Sequence, residues 1–359
     1  KENIENALKQ AKVPTNPETD NKTDKDMDNP DYEGEVGRLK VRKLTESDIY
    51  KIPERFKNDK YLQNLPKPRA GDWDYPEKVD FNTADITLAQ TILLKLGYDV
   101  GAVDGLYGIR TAHAIILFQY ATGGTVNGML DEATINRLKT YNEYSATDSR
   151  VKAIHDKLNS WKPVPAPDEP NGRADTSKYV VIPTKNSTQA FLPEEAAIGW
   201  AMMVRAVLND NTLANPSGAV ISLYPKGPNS GYRTFNEQYK FHVDYYIAMR
   251  YEVAQGKCGS SMLETLKKAR DKKVNELYGD KVTFKQLTEA QKDSVCQSII
   301  SDYASYPGKS KHGFGGAIDF NTNSKDVLYK WLNKNSENYG FKPYYKEEWH
   351  WNYRPDLGL

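Results

Sequence analysis

The chain has 359 residues, 49 Lys and Arg against 48 Asp and Glu, and a formal net charge of +1. Balanced charge leaves no electrostatic footprint for nucleic acid, and no apolar run approaches the roughly 20 residues a membrane-spanning helix needs. The length allows two domains with their own cores, and the 24 tyrosines suit either such cores or surfaces that bind sugars and peptides.

Residues 1–30 are rich in Asn, Asp, Lys and Thr and nearly free of large apolar side chains. Such a segment buries too little surface to offset its ordering entropy. It is expected to be a flexible polar tail, available to dock on a larger assembly such as a phage particle. Residues 31–81 are charged and broken by Pro53, Pro66, Pro68 and Pro76. They read as an extended connector, with a little strand allowed around Val36, Leu39, Val41 and Leu44.

From residue 82 to 140 the pattern becomes regular. Ile86, Ala89, Gln90, Leu93 and Leu94 follow helical spacing, and Gly97 ends that helix. A glycine loop, VGAVDGLYG, runs from Val100 to Gly108. Thr111 opens a second helix carrying Ala114, Ile115, Leu117 and Phe118. Asp131 is placed to cap a third with Ile135 and Leu138. The spacing predicts a compact three-helix unit.

Residues 141–190 read as a linker. Pro163, Val164, Pro165, Ala166 and Pro167 favour stiff polyproline II geometry, and a short helix fits Ser149 to Trp161. Regularity resumes in a domain spanning 191–359. Glu194 and Glu195 open a helix whose inner face is Ala197, Trp200, Ala201, Val204 and Val207. Val220 to Tyr224 is expected to be a strand, residues 234–254 a tyrosine-rich helix, and 257–305 an insert of two helices. Cys258 and Cys296 both fall in that insert, as one disulfide or as two buried thiols. Trp349 to Trp351 reads as the last strand. With no βαβ repeat, the domain is expected to be α+β with a small antiparallel sheet.

The chemistry concentrates in Ser310 to Asp319, SKHGFGGAID, and in Glu347-Glu348-Trp349-His350. His312, Asp319 and His350 are ligand types that suit zinc, and three protein ligands leave a fourth position open, as catalytic sites do. Glu347, three residues before His350, stands where a general base is wanted. Taken singly, each of the five histidines is more often a surface or core residue; their company here is what points to a site.

Ser310, His312, Gly315, Ala317 and Asp319 match the SxHxxGxAxD signature of the zinc D-alanyl-D-alanine carboxypeptidase family, and Glu347, Trp349 and His350 its ExWH element. Ser230-Gly231-Tyr232-Arg233-Thr234 with Gln238 resembles its SGYRS…Q element. The resemblance implies one zinc ion on His312, Asp319 and His350, Glu347 as base, and Arg233 steadying the substrate carbonyl. It also suggests Ser310, Gln238, Tyr232 and Trp349 as substrate-binding residues. The long segment between Arg233 and His312, and Glu348 where a neutral residue is common, depart from the pattern.

The earlier unit resembles the three-helix peptidoglycan-binding domain at Leu96-Gly97-Tyr98, Asp104-Gly105, Gly108, Thr111, Ala114, Phe118-Gln119, Gly128, Thr134 and Leu138. Tyr98, Asp104, Tyr107 and Arg110 are its candidate wall contacts, and a plain helical spacer is the alternative. Together the resemblances imply an extracellular, wall-associated or periplasmic peptidase acting on bacterial peptidoglycan beside D-alanine. A phage endolysin or virion-associated tail lysin cutting between L-alanine and D-glutamate, and a non-catalytic wall-binding structural protein, are the alternatives.

Overall fold

Asp59, Asn82, Asp131 and Asp148 each accept a hydrogen bond from a backbone N–H two or three residues on, at 2.9, 2.8, 2.8 and 2.9 Å. Each thereby caps a helix: α1 (Lys60–Asn64), α2 (Thr83–Lys95), α4 (Glu132–Tyr141) and α5 (Ser149–Asn159), with α3 (Ile109–Ala121) between α2 and α4. The computed structural model describes residues 37–70, 75–165, 175–213, 215–322 and 325–353; the tail expected at 1–30 lies outside them.

Two buried glutamines hold the turns of the helical unit by the same device. Gln90 on α2 accepts from the N–H groups of Asp104 and Gly105 at 3.0 and 2.9 Å and donates to Thr111 Oγ1 at 3.0 Å. Gln119 on α3 accepts from Asn127 and Gly128 at 3.2 and 2.9 Å and donates to Thr134 Oγ1 at 3.0 Å. Each amide satisfies loop N–H groups that would otherwise be buried unpaired. Helix α3 is buried on every face, because α2 and α5 cover one side and the first long helix of the next domain covers the other.

The C-terminal domain starts with a hairpin of β3 (Val180–Pro183) and β4 (Gln189–Leu192), followed by α6 (Glu194–Asn209), which lies on α3. Next come α7 (Pro216–Ser222), α8 (Phe235–Tyr251), and the insert helices α9 (Ser260–Tyr278) and α10 (Glu289–Ile299). A three-stranded antiparallel sheet closes the domain in the order β5-β7-β6, from β5 (Ala317–Asp319), β6 (Phe341–Tyr344) and β7 (Glu347–Tyr353), with α11 (Val327–Asn335) preceding β6. The mixture is about half helical with small antiparallel sheets, in line with the α+β expectation.

The structure corrects four expectations. The stretch Val220 to Tyr224 is not a strand: Asn215 accepts from Gly218 N at 2.9 Å with Pro216 in the first turn, so residues Pro216–Ser222 coil into α7. The expected linker 141–190 is divided between its neighbours. Val151, Ile154 and Leu158 of α5 are buried in the helical unit, β3 belongs to the next domain, and Tyr353 Oη donates to the Val164 carbonyl at 2.7 Å, so residues 163–165 lie against the sheet. The polyproline residues Ala166 and Pro167 fall outside the described residues.

The described parts of the expected connector 31–81, residues 37–70 and 75–81, form a strap. Its β1 (Val41–Arg42) and β2 (Tyr75–Pro76) pair with each other, and between them Phe56, Leu62 and Leu65 enter a core built on α8, α9 and α10. Finally, the helical unit and the C-terminal domain pack directly against each other. One continuous apolar cluster runs from Leu93 and Phe118 through Trp200 to Trp351. At that junction Gly128 has φ +71°, and a Cβ there would stand 2.4 Å from the Val181 carbonyl, so only glycine permits the approach.

Cys258 and Cys296 are free thiols, both buried in the second core. Burial pushes them up to about 11 and about 12, leaving them protonated and inert at neutral pH.

Candidate metal centre

Three elements that are remote in sequence deliver three side chains to one point. His312 comes from a single 3-10 turn, Lys311–Phe314, ended by Gly315 in the left-handed conformation. Glycine is required there, since φ is +65° and a Cβ would stand 2.5 Å from Pro193 Cδ. Asp319 ends β5, and His350 lies directly opposite it on β7. Cross-strand partners share a face of the sheet, while their neighbours Ile318 and Trp351 turn into the core.

The three candidate ligand atoms form a nearly equilateral triangle. His350 Nδ1 is 3.0 Å from Asp319 Oδ1, His312 Nε2 is 3.3 Å from the same oxygen, and the two ring nitrogens are 3.2 Å apart. Ligands held about 2.0–2.1 Å from one tetrahedral ion stand about 3.4 Å from each other, so the triangle fits such an ion. The outward nitrogens fix the ring states. His312 Nδ1–H donates to the Gly231 carbonyl at 2.8 Å, and His350 Nε2–H donates to Asn352 Oδ1 at 3.1 Å. In neutral rings both lone pairs then face a carboxylate oxygen. Three converging acceptors with no proton between them call for a cation, and the outer hydrogen bonds are the kind that orient metal-binding histidines.

Electrostatics agree with that arrangement. Burial pushes Asp319 up, but the two imidazoles outweigh it and hold the carboxyl well below its usual range. Burial lowers His312. It would lower His350 too, but the Asp319 carboxylate overrides it and raises that ring.

Glu347 lies at the start of β7 with Oε2 3.7 Å from His350 Nδ1. Residues three apart on a regular strand point to opposite faces. Here the β6–β7 register shifts between Pro343, paired with Trp351, and Tyr344, paired with Glu347. The irregularity turns β7 so that Glu347 and His350 enter the same cleft. Burial raises the Glu347 carboxyl above its ordinary range. Glu348 is exposed and does not line the cleft.

Arg233 sits across the triangle, with Nη2 3.7 Å from Asp319 Oδ2. Its guanidinium is held by donation to Gln238 Oε1 at 3.0 Å and to the Asn229 carbonyl at 3.2 and 3.3 Å. Gln238 in turn donates to the Ser305 carbonyl at 2.8 Å. Ser310 and Trp349 line the same cavity of about 430 Å³, as do Arg233, Gln238, Glu347 and both histidines.

Tyr232 does not belong to this set. It is 1% exposed, in a core cluster with Tyr179 and Phe191, so it cannot meet a substrate. Two of the four expected wall contacts are likewise corrected. Tyr98 is 5% exposed inside the helical core. Tyr107 stacks on Phe81 and donates to the carbonyls of Gly128 at 2.7 Å and Val181 at 3.1 Å, which places it in the junction between domains. Asp104 is exposed while accepting from Leu106 N at 2.9 Å, and Arg110 is half-buried, paired with Asp99 at 2.9 Å. Sequence reasoning missed Asn352, whose signal was its place two residues after His350 on one strand face. It also missed the wall contributed by the insert, Met262, Thr265 and Tyr303, and the lysines of the rim.

Residues 82–138 match the family model described as "Putative peptidoglycan binding domain". The chain therefore carries a peptidoglycan-binding domain, formed by α2 to α4, and this fits association with the cell wall. No curated protein and no solved structure matches the chain. Among the described residues no helix is long and apolar enough to cross a membrane.

Proposed function

We propose that the C-terminal domain is a zinc-dependent peptidase that hydrolyses peptide bonds beside D-alanine in cell-wall stem peptides, and that the peptidoglycan-binding domain holds it on that substrate. The observation that carries this reading is the triangle of His312 Nε2, Asp319 Oδ1 and His350 Nδ1, with edges of 3.0 to 3.3 Å, beside a half-buried carboxylate in a cleft. A zinc ion held by these three residues would supply Lewis acidity to a water and to a substrate carbonyl.

The remaining work falls to the chain's own groups. Burial raises the Glu347 carboxyl above its ordinary range, which suits a group that must take a proton and give it back. It accepts a proton from the attacking water at its carboxylate and delivers it to the amine that leaves. Arg233 offers a planar, cationic fork of donors. Fixed by Gln238 and Asn229, it donates to the oxygen that becomes negative as water adds to the carbonyl. Tethering to the wall raises the local concentration of stem peptides around the cleft.

The test is digestion of purified peptidoglycan by the full chain, with and without a zinc chelator, followed by mass spectrometry of the muropeptides. Chelator-sensitive release at D-alanine is expected. Cleavage between L-alanine and D-glutamate would replace the assigned bond with that of an endolysin. No cleavage by zinc-loaded protein would leave a wall-binding protein without peptidase activity.

A further inference from the structure

The cleft has an uneven distribution of charge. Four cationic residues line it, Arg233, Lys309, Lys311 and Lys346, but among the described residues outside the triangle only Asp302 and Glu347 are acidic. Their partners divide them. Arg233 is engaged by Gln238, Asn229 and Asp319, and Lys346 on the β6–β7 turn pairs with Asp302 on the insert. Lys309 and Lys311 are exposed, and among the described residues neither makes an ion pair. They flank Ser310, which is buried and lines the same cleft, two residues before His312. The same cleft is also lined by Phe241, Tyr245 and Met262. A ligand filling this space meets both apolar side chains and two lysines that no described carboxylate pairs.

We propose that Lys309 and Lys311 form a carboxylate subsite, so that the cleft selects peptides whose acidic residues are free carboxylates over the same peptides with those residues amidated. The inference rests on the peptidase reading for its setting. It concerns a carboxylate other than one at the peptide's C-terminus, and it assigns selectivity to residues outside the motifs that suggested the reaction. Ammonium groups are point charges on flexible stems, so they would recognise a carboxylate by charge, and salt would weaken the effect.

The experiment uses two synthetic stem peptides with the same sequence and C-terminus, differing only in free or amidated acidic side groups. For the zinc-loaded full chain, kcat/KM is expected to be about tenfold higher on the free acid, the scale of two partly exposed ion pairs. Raising salt should shrink that preference. K309Q/K311Q should erase the difference between the peptides, and K309R/K311R should keep most of it. Equal kcat/KM on both peptides, or a preference that survives in K309Q/K311Q, would overturn the subsite while leaving the peptidase reading intact. If neither peptide is hydrolysed, the peptidase reading fails, and calorimetric binding of the same two peptides to the wild-type and K309Q/K311Q chains still decides the subsite. Tighter binding of the free acid that is lost in the variant supports it, and equal binding overturns it.

Discussion

His312 Nε2 and His350 Nδ1 face each other across 3.2 Å, each turned inward because its other ring nitrogen is held by a fixed acceptor, the Gly231 carbonyl or Asn352. The first expectation follows from this. Zinc analysis of His312→Ala should show most of the metal lost, since two remaining ligands hold it poorly. Asn352→Leu leaves all three ligands in place but frees the His350 ring. It should weaken zinc affinity by roughly 10–100-fold in chelator competition. Full zinc stoichiometry in His312→Ala would remove the assignment.

Glu347 and Glu348 give a paired comparison. Glu347→Gln keeps size and hydrogen bonding but cannot take up a proton, so hydrolysis of purified stem peptides should fall by roughly 10²–10⁴ at unchanged zinc content. Glu348→Gln, on an exposed residue outside the cleft, should retain near wild-type turnover. The reverse pattern would mean that the other carboxylate serves the site.

The strap makes a stability prediction. Leu62 is fully buried in the core shared with α8 and the insert. Leu62→Ala should cost about 2–5 kcal/mol in denaturant unfolding, whereas a true connector residue would cost almost nothing. A midpoint equal to wild type would show that residues 37–70 do not belong to this core.

His113 on α3 sets a pH dependence. Burial lowers its imidazole to about 4, and Nδ1 is buried without a hydrogen-bond partner. An unfolded imidazole titrates near 6.5. Between these values the unfolded chain binds a proton that the folded chain refuses. The contribution is therefore fully present above pH ~6.5 and is lost as pH falls toward 4, by about 3 kcal/mol in all. The difference in thermal stability between wild type and His113→Gln, followed from pH 7 to 4, should narrow or reverse by about that amount. A constant difference would rule out this titration.

Much of the candidate site was legible because its chemistry is carried by residue type. His312, Asp319, His350 and Glu347 stood out as an uncommon combination, and Arg233 and Gln238 accompanied them; the structure brings all six to one cleft. Tyrosines were not legible in the same way. Tyr98, Tyr107 and Tyr232 have side chains that suit a sugar face or a core equally, and only packing decided that all three are internal or at the domain junction. Val220 and Ile221 have strand-like side chains, but the Asn215 cap and Pro216 outweighed that local preference.

The sequence by itself determined the capped helices of the wall-binding unit, the glycine turns between them, and the identity of the ligand-type residues, since each depends on neighbours within a few positions. Tertiary structure alone decided what depends on distant partners. Helix α3 became a central helix because α6 covers it, and the segment before residue 82 became part of a core because α8, α9 and α10 leave a place for Phe56 and Leu62. Glu347 could join His350 only through the register shift of β7 against β6. A strand's period of two would have parted them, and no local pattern in the sequence records where that period is broken.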